Sequence, residues 1–130
     1  MKKHGKYCKQ QGQALVETAL TLLLVLVVFL GTTEFGLMLH QHQLVTHAAR
    51  EGARAAAVSN DDAQVRAVVV NAAAGADPEG MTIVITPAAP RAQGSAVTVT
   101  VTIPTHVISG IIQAFNPPTE VQGTATMRVE

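Results

Sequence analysis

Gly12-Gln13-Ala14-Leu15-Val16-Glu17 opens directly into an apolar run, Thr18-Ala19-Leu20-Thr21-Leu22-Leu23-Leu24-Val25-Leu26-Val27-Val28-Phe29-Leu30-Gly31-Thr32-Thr33, and the architecture of the chain follows from that junction. The 16 uncharged residues from Thr18 to Thr33 make about 24 Å of helix, a little less than a hydrocarbon core of about 30 Å. Extended to Ala14 and Leu39 the segment has 26 residues and reaches about 39 Å, which puts Glu17 and Glu34 near opposite interfaces of a single spanning helix. A carboxylate at the membrane centre costs roughly 2.5–3.5 kcal/mol, so an acid placed at the head of such a helix is a functional hypothesis by default. The plainer reading is that Glu17 snorkels at the edge of an ordinary anchor.

All four lysines, Lys2, Lys3, Lys6 and Lys9, precede Gly12. By the positive-inside rule they hold the N-terminus in the cytoplasm and send the C-terminal part across the membrane. The formal net charge is zero over the chain. Without residues 1–12, five basic side chains face nine acidic ones, a net of −4. A chain of that sign lacks the basic footprint that nucleic acid requires. Cys8 is the sole cysteine and lies before Gly12, so the remainder carries no disulfide and no thiol.

The lysine-rich start, Gly12 and an acid five positions later resemble the processing site of type IV pilin-like proteins. Downstream, Glu34-Phe35-Gly36 and Ala48-Ala49-Arg50-Glu51-Gly52-Ala53-Arg54 are similar to the signature of TadE-like proteins, minor pilins (pseudopilins) of the tight-adherence (Tad/Flp) pilus system. The similarity covers Gly12 to about Ala57. Beyond it the chain shares only general character, a small Val/Thr-rich domain ending in Thr124-Ala125-Thr126-Met127-Arg128-Val129-Glu130.

The resemblance implies cleavage between Gly12 and Gln13 by a prepilin peptidase, which makes residues 1–12 a leader. Gln13 then carries a new α-amine, of reference pKa about 8 and mostly protonated at neutral pH. Glu17 lies four residues on, and shares a helix face with that amine or can meet the amine of a neighbouring subunit. The resemblance also implies a structural role in initiating, priming or modifying pilus assembly, with consequent surface adherence. The partners it implies are other TadE- or TadF-like minor pilins, the major Flp pilin and the inner-membrane assembly platform, beside membrane lipid.

The helical pattern continues past the membrane segment, because Leu37 to Val58 contains no proline and is rich in Ala, Leu, Gln and Arg. One helix over 13–58 is expected, with a transmembrane part at about 14–39. Leu37, Leu44, Ala48 and Ala55 recur near helical spacing, and the Ala/Gly cluster 48–57 lets another element approach closely. Ser59-Asn60-Asp61-Asp62 then breaks the helix and caps a second, whose Val65, Val68, Val69, Ala72 and Ala73 form an apolar stripe ended by Gly75.

After the turn at Ala76-Asp77-Pro78-Glu79-Gly80 the period becomes two. Met81, Ile83 and Ile85 alternate with Thr82, Val84 and Thr86, and Val97 to Ile103 alternates likewise with threonines. Pro87 to Ser95 between them reads as an exposed loop. Val107, Ile108, Ile111, Ile112 and Phe115 give a third short helical stripe, Asn116-Pro117-Pro118 turns the chain, and Val121 to Val129 is a last strand. The expected fold is α+β and type IV pilin-like: a long N-terminal transmembrane helix continuing into a small extracytoplasmic domain, 59–130, with short helices and a three-stranded antiparallel sheet.

Arg50 and Arg54 are four apart on one helical face, and Glu51 is placed to pair with Arg54. They read equally as a basic stripe drawn to lipid headgroups, as a pair tied to carboxylates of the sheet domain, or as a subunit contact whose planar guanidiniums grip a neighbour's acid. Glu34 reads as the membrane exit or as an acid that such an arginine finds. His40 and His42 are two apart and point to different faces, and His40 and His47 are about 10 Å apart, so no metal site is expected. No phosphate loop, nucleophile elbow or carboxylate dyad is present, and neither catalysis nor a cofactor is expected. Two other classes stay open: a single-pass anchor displaying a binding module without cleavage or incorporation in a pilus, and a secreted protein that loses the whole apolar run to a signal peptidase.

Overall fold

The computed structural model describes residues 4–105 and 119–130. Helix α1 spans His4–Val58 and α2 spans Asp62–Ala72; a single 3-10 turn at Pro78–Gly80 precedes strands β1 (Thr82–Thr86), β2 (Ala96–Pro104) and β3 (Glu120–Arg128). The strands form one antiparallel sheet in the order β1-β2-β3. The α+β architecture with a long apolar N-terminal helix and a three-stranded sheet is as expected. Helix α1 begins at His4, ahead of the expected start at Gln13, since nothing between His4 and Gly12 interrupts a helix except one glycine. The expected third helical stripe and the Asn116-Pro117-Pro118 turn lie outside the described residues.

The chain divides into two compact units, Met1–Phe35 and Gly36–Glu130. In the first, the side chains from Leu15 to Phe29 are exposed on every side of the helix, Phe29 to 66%. An 18-residue window there has mean hydropathy 2.5, and none of it is buried within the chain. This is a candidate membrane anchor by length and composition. The threonines of this unit remain compatible with lipid because each returns its hydroxyl to the helix: Thr18 Oγ1 donates to the Ala14 carbonyl at 2.9 Å, Thr21 to Glu17 at 2.9 Å, Thr32 to Val28 at 2.8 Å and Thr33 to Phe29 at 2.9 Å.

In the second unit a core forms between the rest of α1, α2 and one face of the sheet. Strict alternation puts Val97, Val99, Val101 and Ile103 of β2 inside, and the intervening threonines outside, where Thr98 bonds Thr126 (2.9 Å) and Thr100 bonds Thr124 (3.3 Å) across the strands. From α2, Val65, Val69 and Ala73 enter the core. Asp61 is its N-cap, accepting from the backbone N–H of Ala63 at 2.9 Å and of Gln64 at 3.4 Å.

The buried stripe of α1 is Val45, Ala48, Ala49, Gly52, Ala53, Ala56 and Ala57, so the close approach falls in the expected Ala/Gly cluster 48–57; of the expected line Leu37, Leu44, Ala48 and Ala55, Ala48 is fully buried. Leu37 is 42% exposed. Closeness of approach decided the face, because the sheet meets α1 where side chains are smallest. A Cβ at Gly123 of β3 would lie 2.6 Å from the Val45 carbonyl carbon and oxygen and 2.7 Å from the Thr46 nitrogen, so strand backbone rests on helix backbone there. A Cβ at Gly52 would meet the Val69 side chain and come within 3.1 Å of Val99 Cγ1.

The segment from Pro87 to Ser95 is not simply an exposed loop. Arg91 is buried, at 5% exposure, against the α1–α2 junction. Its backbone N–H donates to Asn60 Oδ1 at 3.0 Å, its Nε to the Pro87 carbonyl and its Nη1 to the Ser59 carbonyl, both at 3.0 Å. Its Nη2 pairs with Asp62 Oδ1, and Asp62 Oδ2 also accepts from the Ala89 N–H at 3.3 Å. A buried guanidinium demands this degree of satisfaction, and the loop is held down by it.

Candidate functional site

The residues expected to matter fall along α1. Gly12 lies within the helical run, exposed, with open space around the position a Cβ would take. Gln13 and Glu17 follow on exposed helix. Glu34 is buried, at 6% exposure, the only carboxylate so withdrawn among the described residues.

Arg50 and Arg54 project together from the second unit, both exposed. Among the described residues the one ion pair is Arg91–Asp62, so the Glu51–Arg54 pair that the spacing permits is not formed, and neither arginine is tied to a carboxylate of the sheet domain. They line an open groove of about 590 Å³ with Glu51, Val58, Met127 and Arg128. Arg128 is the member that sequence reasoning missed. Sheet register brings it here: Arg128 pairs with Ala96 at the end of β3, and the next residues are fastened by the Val129 N–H to the Ser95 carbonyl (2.8 Å) and the Glu130 N–H to the Ala57 carbonyl (3.0 Å). Gly94, at φ +80°, makes the turn that lets its carbonyl accept from Arg128 Nε at 3.0 Å. Only that register, a long-range fact, brings Arg128 to the depression lined by Arg50 and Arg54.

No group of three or more His, Cys, Asp or Glu side chains placed to hold a metal ion occurs among the described residues. His106 lies outside them.

Residues 12–54 match the family model described as TadE-like protein. The matched segment starts at the glycine of the junction, runs through the exposed apolar helix and ends at the second arginine of the groove. The similarity first read from Gly12, Glu17, Glu34-Phe35-Gly36 and the Ala48–Arg54 stretch is therefore borne out over that part of the chain. Neither curated proteins nor solved structures provide a match. The match covers about a third of the chain, and the family that it represents is one of pilin-like structural proteins. The single apolar helix near the N-terminus is the corresponding candidate anchor.

Proposed function

We propose that this chain is a structural minor pilin, or pseudopilin, of a Tad/Flp-type pilus, and not an enzyme. Its leader is residues 1–12, its long helix 13–58 and its extracytoplasmic domain 59–130. The subunit enters the inner membrane with its N-terminus in the cytoplasm, is cut by a prepilin peptidase between Gly12 and Gln13, and takes part in pilus assembly and so in surface adherence. Its partners in that work are the other TadE- or TadF-like minor pilins, the major Flp pilin and the inner-membrane assembly platform.

One observation carries this reading: the TadE-like match covers the helix whose apolar side chains find no cover within the chain and whose head bears Gly12 and Glu17. A helix that exposes leucines all round needs lipid or the helices of neighbouring subunits. Glu17 supplies the charge for the new amine of Gln13 or of a neighbour, and is useful chiefly in an assembly, where several amines come close. Arg50 and Arg54, both exposed, supply guanidiniums to a subunit contact.

Mass spectrometry of the chain recovered from membranes of a cell that has the peptidase tests the proposal. The expected product begins at Gln13, and Gly12→Val leaves it heavier by the leader. Retention of residues 1–12 in the parent chain would favour the uncleaved anchor, and an N-terminus beyond Glu34 the secreted protein. With cleavage established, Glu17→Gln should insert normally and reduce pilus yield; unchanged pili would leave Glu17 an interfacial bystander.

A further inference from the structure

The two edges of the sheet are finished differently. Hydrogen bonds at both ends of the β2–β3 ladder, from the Thr105 N–H to the Thr119 carbonyl and from the Val129 N–H to the Ser95 carbonyl, each 2.8 Å, fix which way each residue turns its main chain. Odd-numbered residues of β3 bond to β2, because hydrogen-bonded pairs alternate along an antiparallel ladder. Gln122, Thr124, Thr126 and Arg128 therefore turn their N–H and carbonyl groups away from the sheet, and so does Glu130, whose N–H reaches the Ala57 carbonyl at 3.0 Å. The outward main-chain groups of Gln122, Thr124 and Thr126 bond to no described residue, and all three residues are exposed.

The opposite edge, β1, has only five residues, and the same alternation leaves Ile83 and Ile85 facing outward. There Arg66 of α2 donates from Nη1 to the Ile83 carbonyl at 2.9 Å, so that edge is capped. Strand β3 has nine residues in unbroken register, with no proline, lysine or bulge. Natural sheets blunt their edges with such devices, since an open row of main-chain groups is a template for another strand. From Gln122 to Thr126 no side chain is charged, so nothing there repels a strand laid alongside, and Glu120, exposed at the first position, favours a base opposite it. Alternating donors and acceptors at the strand repeat are matched by the main chain of a polypeptide, and not by lipid or nucleic acid.

We propose that β3 is a docking edge, to which an extended segment of a different polypeptide adds as a fourth, antiparallel strand. Antiparallel addition continues the pattern of the sheet and sets the Thr124 and Thr126 side chains beside those of the new strand, as they already stand beside Thr100 and Thr98. A second copy of this chain does not fit. Strand β3 lies along α1 and runs in the same direction, from Gly123 against Val45 to Glu130 bonded to Ala57, and β1 is parallel to β3 because both are antiparallel to β2. Copies inserted in one membrane by that helix therefore present both of their edges in the same direction, and neither edge is antiparallel to a neighbour's β3. The inference is independent of cleavage and of the pilus reading, because it uses the main chain of the second unit alone.

The test uses the full chain, isotope-labelled in detergent micelles, and follows amide hydrogen exchange by NMR. The probe is a synthetic peptide of alternating threonine and valine that ends in lysine. Its addition should slow exchange at Gln122, Thr124 and Thr126 about tenfold or more, and leave Val121, Gly123 and Ala125, which already bond to β2, unchanged. The same peptide N-methylated at alternate residues, those that face β3, should have no effect. Thr124→Pro removes a donor on the outward side only, where an edge strand tolerates proline, and should keep the fold while cancelling the protection of Gln122 and Thr126. If that variant fails to fold, the N-methylated peptide decides alone. Absence of slowing at the even positions overturns the proposal, as does slowing that is equal at odd and even positions, survives N-methylation or persists in folded Thr124→Pro. Protection of the even positions that rises with protein concentration alone would make a second copy the occupant, and overturns it too.

Discussion

Helix α1 holds two regions built to opposite specifications. From Leu15 to Phe29 its side chains are mostly large, apolar and exposed around the whole circumference, and from Val45 to Ala57 they divide into a buried face of small residues and an exposed face that carries His47, Arg50 and Arg54. Bulk on every side excludes close contact with strands of the same chain and calls for a fluid or helical environment that adapts to it. Alanine and glycine gain little from burial individually, but they let a sheet come near enough for valines from α2 and β2 to fill the space between. Hydrophobicity alone ranks the first region as the better core. The structure puts the core at the second, because packing there is complementary to a partner the chain itself supplies.

The largest way to break the contrast is to add bulk where backbone meets backbone. Gly123→Leu puts side-chain carbons where the Val45 carbonyl and Thr46 nitrogen already stand, and backbone has no rotamer with which to yield. The expected loss is at or beyond the upper end of the ~1–3 kcal/mol usual for overpacking. It should appear as rapid proteolysis of the 36–130 unit in membranes that still contain the protein. Arg91→Ala should come next. Loss of one partner from a buried pair costs about 3–5 kcal/mol, but the Asp62 side chain keeps 31% exposure and can be hydrated, so about 2–3 kcal/mol is expected in thermal unfolding of the detergent-solubilised chain. An unaltered midpoint would mean that the Pro87–Ser95 segment is not held by this residue.

Gly52→Ala sharpens the comparison, since it opposes two effects at one position. The new methyl meets the side chains of Val69 and Val99, which can shift, and removing a mid-helix glycine returns up to about 1 kcal/mol of helix propensity. A net loss of only about 1 kcal/mol is expected, well below Gly123→Leu although both residues line the same core. Equal losses would show that the valines are as immovable as backbone.

Local pattern made much of this legible. The apolar run, the Asp61 cap and the Val/Thr alternation are set by neighbours within a few residues, and each is found where its period puts it. What escaped depends on long-range placement. Arg91 finds Asp62 and Ser59 across about thirty positions of sequence, and no periodicity marks a single arginine in a Pro-rich loop. On α1 the Ala/Gly cluster 48–57 was legible as the close-packed face, whereas the burial of Val45 depends on the approach of Gly123 from β3. In the candidate site, Arg50 and Arg54 were readable as an i,i+4 pair, but the arrival of Arg128 depends on tertiary structure.

The smallest effect is expected in the first region and is informative for that reason. Thr32 and Thr33 return their hydroxyls to the carbonyls of Val28 and Phe29, which already accept in the helical ladder, and both side chains are exposed. Replacing both by valine keeps shape, removes two back-bonds that weakly compete with the helix, and adds apolar surface where lipid is the expected neighbour. Stability of the solubilised chain should stay within about 0.5 kcal/mol, and membrane extraction should be unchanged. If the double variant lost more than that, the hydroxyls would be gripping something other than their own helix, and the first region would have to be understood as a packed surface like the second.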